Sequence, residues 1–163
     1  NERRLQCEHV AEVIKQTHPE VESLRDASME MLEEVKSQIT ADEYKRARYV
    51  IGEVVRVLTV CDALEKDDYE TVGKMMYETH YGLSKEYEVS CEELDFLNDE
   101  AKKCGVTGSR IMGGGFGGCT INLVQGELYD QFVKGIVPAF TEKYGHEPKI
   151  YDVVIGDGSR KLC

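Results

Sequence analysis

The chain has 163 residues, which suits one ordinary domain and is too few for two large ones. It carries 20 lysine and arginine residues against 31 aspartate and glutamate residues, a formal net charge of −11. This acidity argues against nucleic acid or an anionic membrane surface as a partner, because both would repel the chain. Hydrophobic residues make up 41%, enough for a packed core, and no apolar run approaches the roughly 20 residues that span a bilayer.

The first part of the chain is predicted to be helical. Residues 1–100 contain three of the 15 glycines, and no proline lies between Pro19 and Pro138. A first helix is predicted from Leu5 to about Thr17, ending before Pro19. A second is predicted from about Glu20 to Ile39, because apolar residues recur there at spacings of three and four.

Three further helices are predicted from their start signals. Thr40-Ala-Asp-Glu43 has the form of a capping box, and the helix that follows has an apolar stripe wide enough to predict burial on two sides. Asp67-Asp-Tyr-Glu70 begins a fourth helix, and Ser90-Cys-Glu-Glu93 is predicted to cap a fifth. These helices make residues 1–104 mainly helical.

Residues 105–163 are predicted to follow the order β-β-α-β. Short strands are predicted at Ser109–Met112 and Cys119–Val124, a helix at Glu127–Tyr144, and a last strand at Ile150–Ile155. The whole chain is therefore predicted to be an α+β fold, with helices packed on a small antiparallel sheet.

The cysteines and histidines give no metal site. None of the six cysteines forms a CxxC pair, and Cys7 with His9 lacks a second pair to complete a zinc site. We interpret the cysteines as free thiols in a reducing cytoplasm. His80 lies near an apolar helix face, and a structural role is predicted for it.

Residues 113–118 require a chemical explanation, because five of these six residues are glycines and glycine weakens folding through backbone entropy. Bare N–H groups can approach an anion, commonly a phosphate. The segment enters a predicted strand rather than a helix, which excludes a dinucleotide-binding turn, and it lacks the lysine of a Walker A loop. A protein-kinase flap is excluded because the other kinase motifs are missing. A flexible hairpin turn and tight packing of two backbones remain open.

Three segments resemble the galactokinases, a family of the GHMP kinase superfamily. Gly108-Ser-Arg-Ile-Met-Gly-Gly-Gly-Phe-Gly-Gly-Cys-Thr120 resembles the third signature motif of that family. Glu86-Tyr-Glu-Val-Ser-Cys-Glu-Glu-Leu-Asp95 is similar to its D-D-Y-E-V-S-C-P-E-L-D, with Glu92 in place of proline and Lys85-Glu86 in place of D-D. Arg3-Arg-Leu-Gln-Cys-Glu8 is similar to its R-R-x-x-C-E. In addition to these three segments, the short Gly156-Asp-Gly158 fits its C-terminal strand.

The resemblance implies an enzyme that phosphorylates galactose at C1 with ATP and Mg²⁺. The family's sugar-binding motif, its G-L-S-S-S-A phosphate loop and its catalytic Asp–Arg pair belong to an N-terminal domain, and none of these strings occurs in this chain. Residues 1–163 are therefore expected to be a single GHMP kinase C-terminal domain with a ferredoxin-like sheet and no catalytic or metal-binding residue. Its expected partner is the N-terminal domain, which would bind most of the ATP and Mg²⁺, and alone it is expected to be inactive.

The resemblance also implies which residues lie near the substrates. The candidates are the backbones of the glycine-rich segment: Gly113, Gly114, Gly115, Gly117 and Gly118. Arg110 is a weaker candidate, for which a surface or interdomain ion pair is the simpler interpretation. A non-catalytic sugar sensor or co-regulator on the same scaffold, an N-acetylgalactosamine kinase and a helical binding module remain alternatives, whereas the motifs disfavour mevalonate and homoserine kinases.

Overall fold

The computed structural model describes residues 2–156, 158 and 161, and these contain six α-helices and one two-stranded sheet. The helices are Glu2–Lys15 (α1), Met29–Glu34 (α2), Ala41–Glu65 (α3), Tyr69–Lys85 (α4), Glu92–Lys103 (α5) and Gly126–Tyr144 (α6), with a 3-10 turn at Lys36–Gln38. Strands Gly108–Met112 (β1) and Cys119–Leu123 (β2) pair antiparallel, with Met112 opposite Cys119. The α+β fold class, with helices on a small antiparallel sheet, is confirmed.

Side-chain hydrogen bonds cap the first turns of α3 and α4, as the sequence predicts. The Thr40 hydroxyl accepts from the Glu43 N–H at 3.2 Å, and the Glu43 carboxylate accepts from the Thr40 N–H at 2.8 Å. This is the reciprocal pair of a capping box, and it satisfies two N–H groups that the first turn of α3 leaves free. Asp68 caps α4 by accepting from the Thr71 N–H at 3.0 Å.

Two apolar cores lie at opposite ends of the chain. The first joins α1, α2 and the start of α3, and its fully buried residues include Val10, Ile14, Val21, Leu32 and Ala47. The second joins α5 and α6 through Ala101, Val106, Phe132 and Ile136. The predicted burial of α3 on two sides is wrong for its second half, where Val57 is 58% and Leu58 is 67% exposed.

The helix predicted over residues 20–39 is wrong for residues 20–28, whereas α2 and the 3-10 turn at Lys36–Gln38 form within its second half. The Asp26 carboxylate accepts from the N–H groups of Glu22 and Ser23, at 3.2 and 3.0 Å, and so fixes a turn in place of helical hydrogen bonds. Ser28 caps α2 by accepting from the Met31 N–H at 3.3 Å. Val21 and Leu24 are still buried in the first core, which explains why the apolar spacing looked helical.

The predicted last strand, residues 150–155, is also wrong, and the β-β-α-β order ends after its helix. No described strand pairs with this segment, and β structure needs a neighbour to complete its hydrogen bonds. Val154 and Ile155 are 92% and 94% exposed. The central residue of the Gly156-Asp-Gly158 motif lies outside the described residues.

Cys163 also lies outside the described residues. The other five cysteines are free thiols, as predicted.

Helix α4 and strand β1 approach so closely that only glycine fits at their contact. A Cβ added to Gly73 would lie 2.0 Å from the Thr107 carbonyl oxygen, and one added to Gly108 would lie 2.5 Å from the Gly73 Cα. The contact fixes β1, and with it the segment that follows, against the helices. Within the described ranges, no helix has both the length and the apolar character needed to cross a membrane.

Candidate functional site

Residues 113–118, here called the glycine loop, connect β1 to β2 as a hairpin. Four of its glycines have positive φ: Gly113 (+92°), Gly115 (+80°), Gly117 (+133°) and Gly118 (+99°). Residues with a Cβ rarely adopt this conformation, so the path of the hairpin itself requires glycine at these four positions. Phe116 has a φ of +59° and adopts the left-handed conformation without being a glycine.

Gly114 is different, because nothing inside the described part of the chain requires it to be glycine. Its φ is not in the left-handed region, and a Cβ added there would meet no described atom within 4 Å. A Cβ on Gly113 or Gly117 would also point into open space. This edge of the loop therefore exposes backbone without side chains. A group outside the chain could approach its N–H groups closely.

Gly115 faces the other way, onto residues 86–90, here called the clamp loop. A Cβ on Gly115 would lie 2.2 Å from the Val89 carbonyl oxygen and 2.8 Å from the Val89 Cβ. The next N–H, that of Phe116, donates to the same carbonyl at 2.6 Å. Tight packing of two backbones thus occurs here, but only on one side of the glycine loop.

Arg3, in the first turn of α1, contacts both loops. Its Nε donates to the Tyr87 carbonyl and its Nη2 to the Glu88 carbonyl, each at 2.7 Å. Its guanidinium carbon lies 5.4 Å from the centre of the Phe116 ring, within the range of a cation–π contact. The three segments that carried the family resemblance therefore meet in space at Arg3, the clamp loop and the glycine loop.

The clamp loop is also held by its acidic side chain. Glu88 is a second residue in the left-handed conformation, with a φ of +56°. Its carboxylate lies 3.1 Å from Lys45 Nζ and 3.1 Å from Nη2 of the buried Arg46. Hydrogen bonds from Lys45 and then Arg46 lower the pKa of Glu88, so the carboxylate stays charged.

Asp95 fixes the far end of the clamp loop. The Ser90 hydroxyl donates to its Oδ1 at 2.5 Å, and the Ser84 hydroxyl donates to its Oδ2 at 2.7 Å. Burial alone would raise the pKa of Asp95, but these two hydroxyls, with Lys85 and His80, lower it overall. Ser90 was predicted to cap α5; it binds Asp95 instead, and Cys91 takes the N-cap position without a side-chain hydrogen bond in the described structure.

His80 is 5% exposed, and its Nε2 lies 3.2 Å from Asp95 Oδ1. Burial lowers the pKa of His80 below its ordinary 6.5, although the neighbouring Asp95 and Asp99 oppose this effect and Lys85 reinforces it. The unfolded chain then binds the proton more readily than the folded chain, so His80 reduces stability as the pH falls below about 6.5.

We therefore expect the free energy of unfolding of His80→Gln to fall less than that of the unmodified chain between about pH 7.5 and about pH 5.5. Urea unfolding at the two pH values measures this, with His146→Gln, at an exposed position, as the control. Equal losses in the unmodified chain and the His80 variant would contradict the assignment.

Arg110 is half-buried on β1, three residues before the glycine loop begins at 113. Its Nη1 donates to the Ile111 carbonyl at 3.0 Å. Among the described residues no carboxylate oxygen lies within 4.0 Å of it, so a surface ion pair is not formed there, and an interdomain ion pair stays a prediction. Its positive charge lies at the base of the loop in an otherwise acidic chain.

The sequence identified the glycine loop but not the residues that hold it. Arg3, Glu88, Val89 and Asp95 were quoted only as parts of motifs, and their convergence depends on long-range packing: Arg3 binds residues 84 and 85 positions away. Within the described ranges, no three histidine, cysteine, aspartate or glutamate side chains are grouped to hold a metal ion. The loop can instead offer N–H donors to an anion.

Comparison with known proteins points to one family. Residues 61–140 match the family model described as GHMP kinases C terminal. A galactokinase from Clostridium beijerinckii is 42% identical over 165 residues, which cover 99% of this chain and 42% of that protein. The human galactokinase is 39% identical over 162 residues, covering 99% of this chain and 39% of its own length.

A solved structure agrees with these relatives. The crystal structure of Lactococcus lactis galactokinase complexed with galactose superimposes with a TM-score of 0.88 at 32% identity, covering 99% of this chain and 42% of that chain. The chain thus spans about two fifths of the length of the curated relatives it matches.

Proposed function

Because the chain belongs to the GHMP kinases, as a C-terminal domain similar over almost its whole length to that of galactokinases, we propose that it forms part of an ATP-dependent galactokinase. The complete enzyme would transfer the γ-phosphoryl group of ATP to the C1 hydroxyl of galactose. Residues 1–163 would act as one domain and pair with an N-terminal domain. The proposed location is the cytoplasm, where ATP is available to such an enzyme.

The observation that supports a role at the active site is the open edge of the glycine loop. Gly114 has neither a left-handed φ nor an internal neighbour that would exclude a side chain. A backbone without side chains is useful there if phosphate oxygens or the sugar must approach the N–H groups closely. Phosphoryl transfer depends mainly on positioning and on electrostatic stabilisation, and backbone donors supply both without adding bulk.

The proposal divides the chemistry between two domains. In this chain the donors are the N–H groups of Gly113, Gly114, Gly115, Gly117 and Gly118, with the Arg110 charge at the base of the loop. Mg²⁺, when bound, neutralises phosphate charge, and the described residues offer no cluster of oxygen ligands for it. The catalytic base and the metal ligands therefore belong to the N-terminal domain in this proposal.

The test compares this chain alone with a complete enzyme that carries it as the C-terminal part. Both are incubated with galactose, ATP and Mg²⁺, and galactose 1-phosphate is followed by phosphorus NMR. We expect product only from the complete enzyme, because a domain without the base and the metal ligands lacks the reacting groups. A complete enzyme that binds galactose without phosphorylating it would instead indicate a sugar sensor, and product from the chain alone would refute the division of roles.

A further inference from the structure

Arg3 joins the clamp loop to the glycine loop, which also meet at the bond from the Phe116 N–H to the Val89 carbonyl and at the close approach of Gly115 to Val89. Its guanidinium donates to the carbonyls of Tyr87 and Glu88, and the guanidinium carbon lies over the Phe116 ring, 5.4 Å from its centre. The planar guanidinium group of arginine can donate to two carbonyls and contact an aromatic ring at the same time. A lysine ammonium is a compact point charge and cannot reproduce this arrangement.

Both segments have strained backbone where they meet. Glu88 and Phe116 each adopt the left-handed conformation, and each immediately adjoins the contact between the Val89 carbonyl and the Phe116 N–H. Left-handed conformations are unfavourable for residues with a Cβ and persist when surrounding contacts hold them. Lys45 and Arg46 hold the Glu88 side chain, whereas the Glu88 carbonyl and the Phe116 ring are both contacted by Arg3.

We propose that Arg3 is a positioning residue: by binding the clamp-loop carbonyls and packing on Phe116, it holds the glycine loop in the conformation that points its open edge outward. Arg3 acts on the loop and not on the substrate. Insofar as this affects catalysis, the inference rests on the proposed function. Its effect on the loop can be measured independently of any activity.

The first experiment uses the chain alone and asks whether Arg3 protects the glycine loop. Arg3→Met removes the guanidinium group with its hydrogen-bond donors and its charge. Arg4→Met is the matched control, because Arg4 is exposed and pairs only with Glu8 in the described structure. Amide hydrogen exchange of Phe116 reports the bond to Val89. We expect about tenfold faster exchange at Phe116 in Arg3→Met, unchanged exchange at the core amides of Val10 and Ile14, and no change in Arg4→Met.

The outcomes of this experiment separate positioning from general stability. Unchanged exchange at Phe116 would overturn the proposal. Equal acceleration at Phe116, Val10 and Ile14 would also overturn it, because Arg3 would then stabilise the whole domain rather than the loop.

The second experiment uses a complete enzyme that carries this chain. We expect Arg3→Met to lower kcat about tenfold or more with a smaller change in KM for galactose, because a displaced loop loses transition-state contacts more than ground-state binding. Arg3→Lys should keep the thermal stability and recover little of kcat, whereas Arg4→Met should keep both. Full recovery of kcat by Arg3→Lys would show that the planar guanidinium is not required, and would overturn this part of the proposal. If the unmodified enzyme does not phosphorylate galactose, the proposed function fails, and the exchange experiment still decides the role of Arg3.

Discussion

Replacing Gly115 with alanine is expected to detach the glycine loop from the clamp loop and to lower kcat of a complete enzyme about a hundredfold, because small displacements of positioning groups have effects of this size. The new Cβ would lie 2.2 Å from the Val89 carbonyl oxygen, which cannot be tolerated without moving the backbone. The φ of +80° adds strain for any residue with a Cβ, worth about 1–2 kcal/mol. Initial rates of ADP release measure kcat, and amide exchange at Phe116 reports the loss of its bond to Val89.

Gly114→Ala is the control for the conformation of the loop. Its Cβ would meet no described atom within 4 Å, and its φ is not in the left-handed region, so Phe116 should stay as protected as in the unmodified chain. Any loss of activity in this variant would then come from a substrate that approaches the open edge. If Gly115→Ala leaves the exchange of Phe116 unchanged, the close packing on Val89 is not what holds the loop.

Replacing Gly73 with alanine is expected to produce the largest loss of stability, about 3 kcal/mol or more, because the added methyl group overpacks a rigid contact. Its Cβ would lie 2.0 Å from the carbonyl oxygen and 2.5 Å from the carbonyl carbon of Thr107, both backbone atoms. The strain can be relieved only if α4 and β1 move apart. Urea unfolding followed by circular dichroism measures the loss of free energy of unfolding. A variant too unstable to be recovered in soluble form would also agree with the prediction.

Gly52→Ala is the matched variant for this experiment. Gly52 also lies inside a long helix, but its Cβ would meet only the flexible end of Arg56, at 3.9 Å, among the described atoms. Alanine is the better helix former, so this variant should gain about 0.5–1 kcal/mol. A gain of similar size in Gly73→Ala would mean that the helix and the strand are not in tight contact.

The features that sequence predicted well are those that depend on neighbouring residues. Thr40 and Glu43 are three positions apart, so their reciprocal hydrogen bonds could be predicted from spacing alone. The two strands beside the glycine loop were predicted from equally local patterns, whereas a hairpin turn was one of two interpretations left open for the residues between them. The first half of the helix predicted over residues 20–39 does not form because of an equally local interaction. The Asp26 side chain accepts backbone hydrogen bonds there, and apolar periodicity carries no information about this.

The candidate site was predictable only in part. The composition of residues 113–118 points to a backbone without side chains, but it does not tell which glycine packs inward and which faces outward. That distinction depends on Val89, which reaches Gly115 only after α4 has placed the clamp loop through the bond between the Val89 N–H and the Leu83 carbonyl at 2.9 Å. The left-handed conformation of Glu88 has no sequence signal, since it follows from the contacts of Arg3, Lys45 and Arg46.

Residues 150–155 have a practical consequence for the purified chain. The sequence Ile150-Tyr-Asp-Val-Val-Ile155 is rich in β-forming apolar residues, contains no proline and is largely exposed. Segments of this kind adhere to one another edge to edge. The net charge of −11 repels copies of the chain at long range, but salt at physiological concentration screens that repulsion beyond about 8 Å. We therefore expect the chain to stay dispersed in dilute buffer and to associate through residues 150–155 when salt is added.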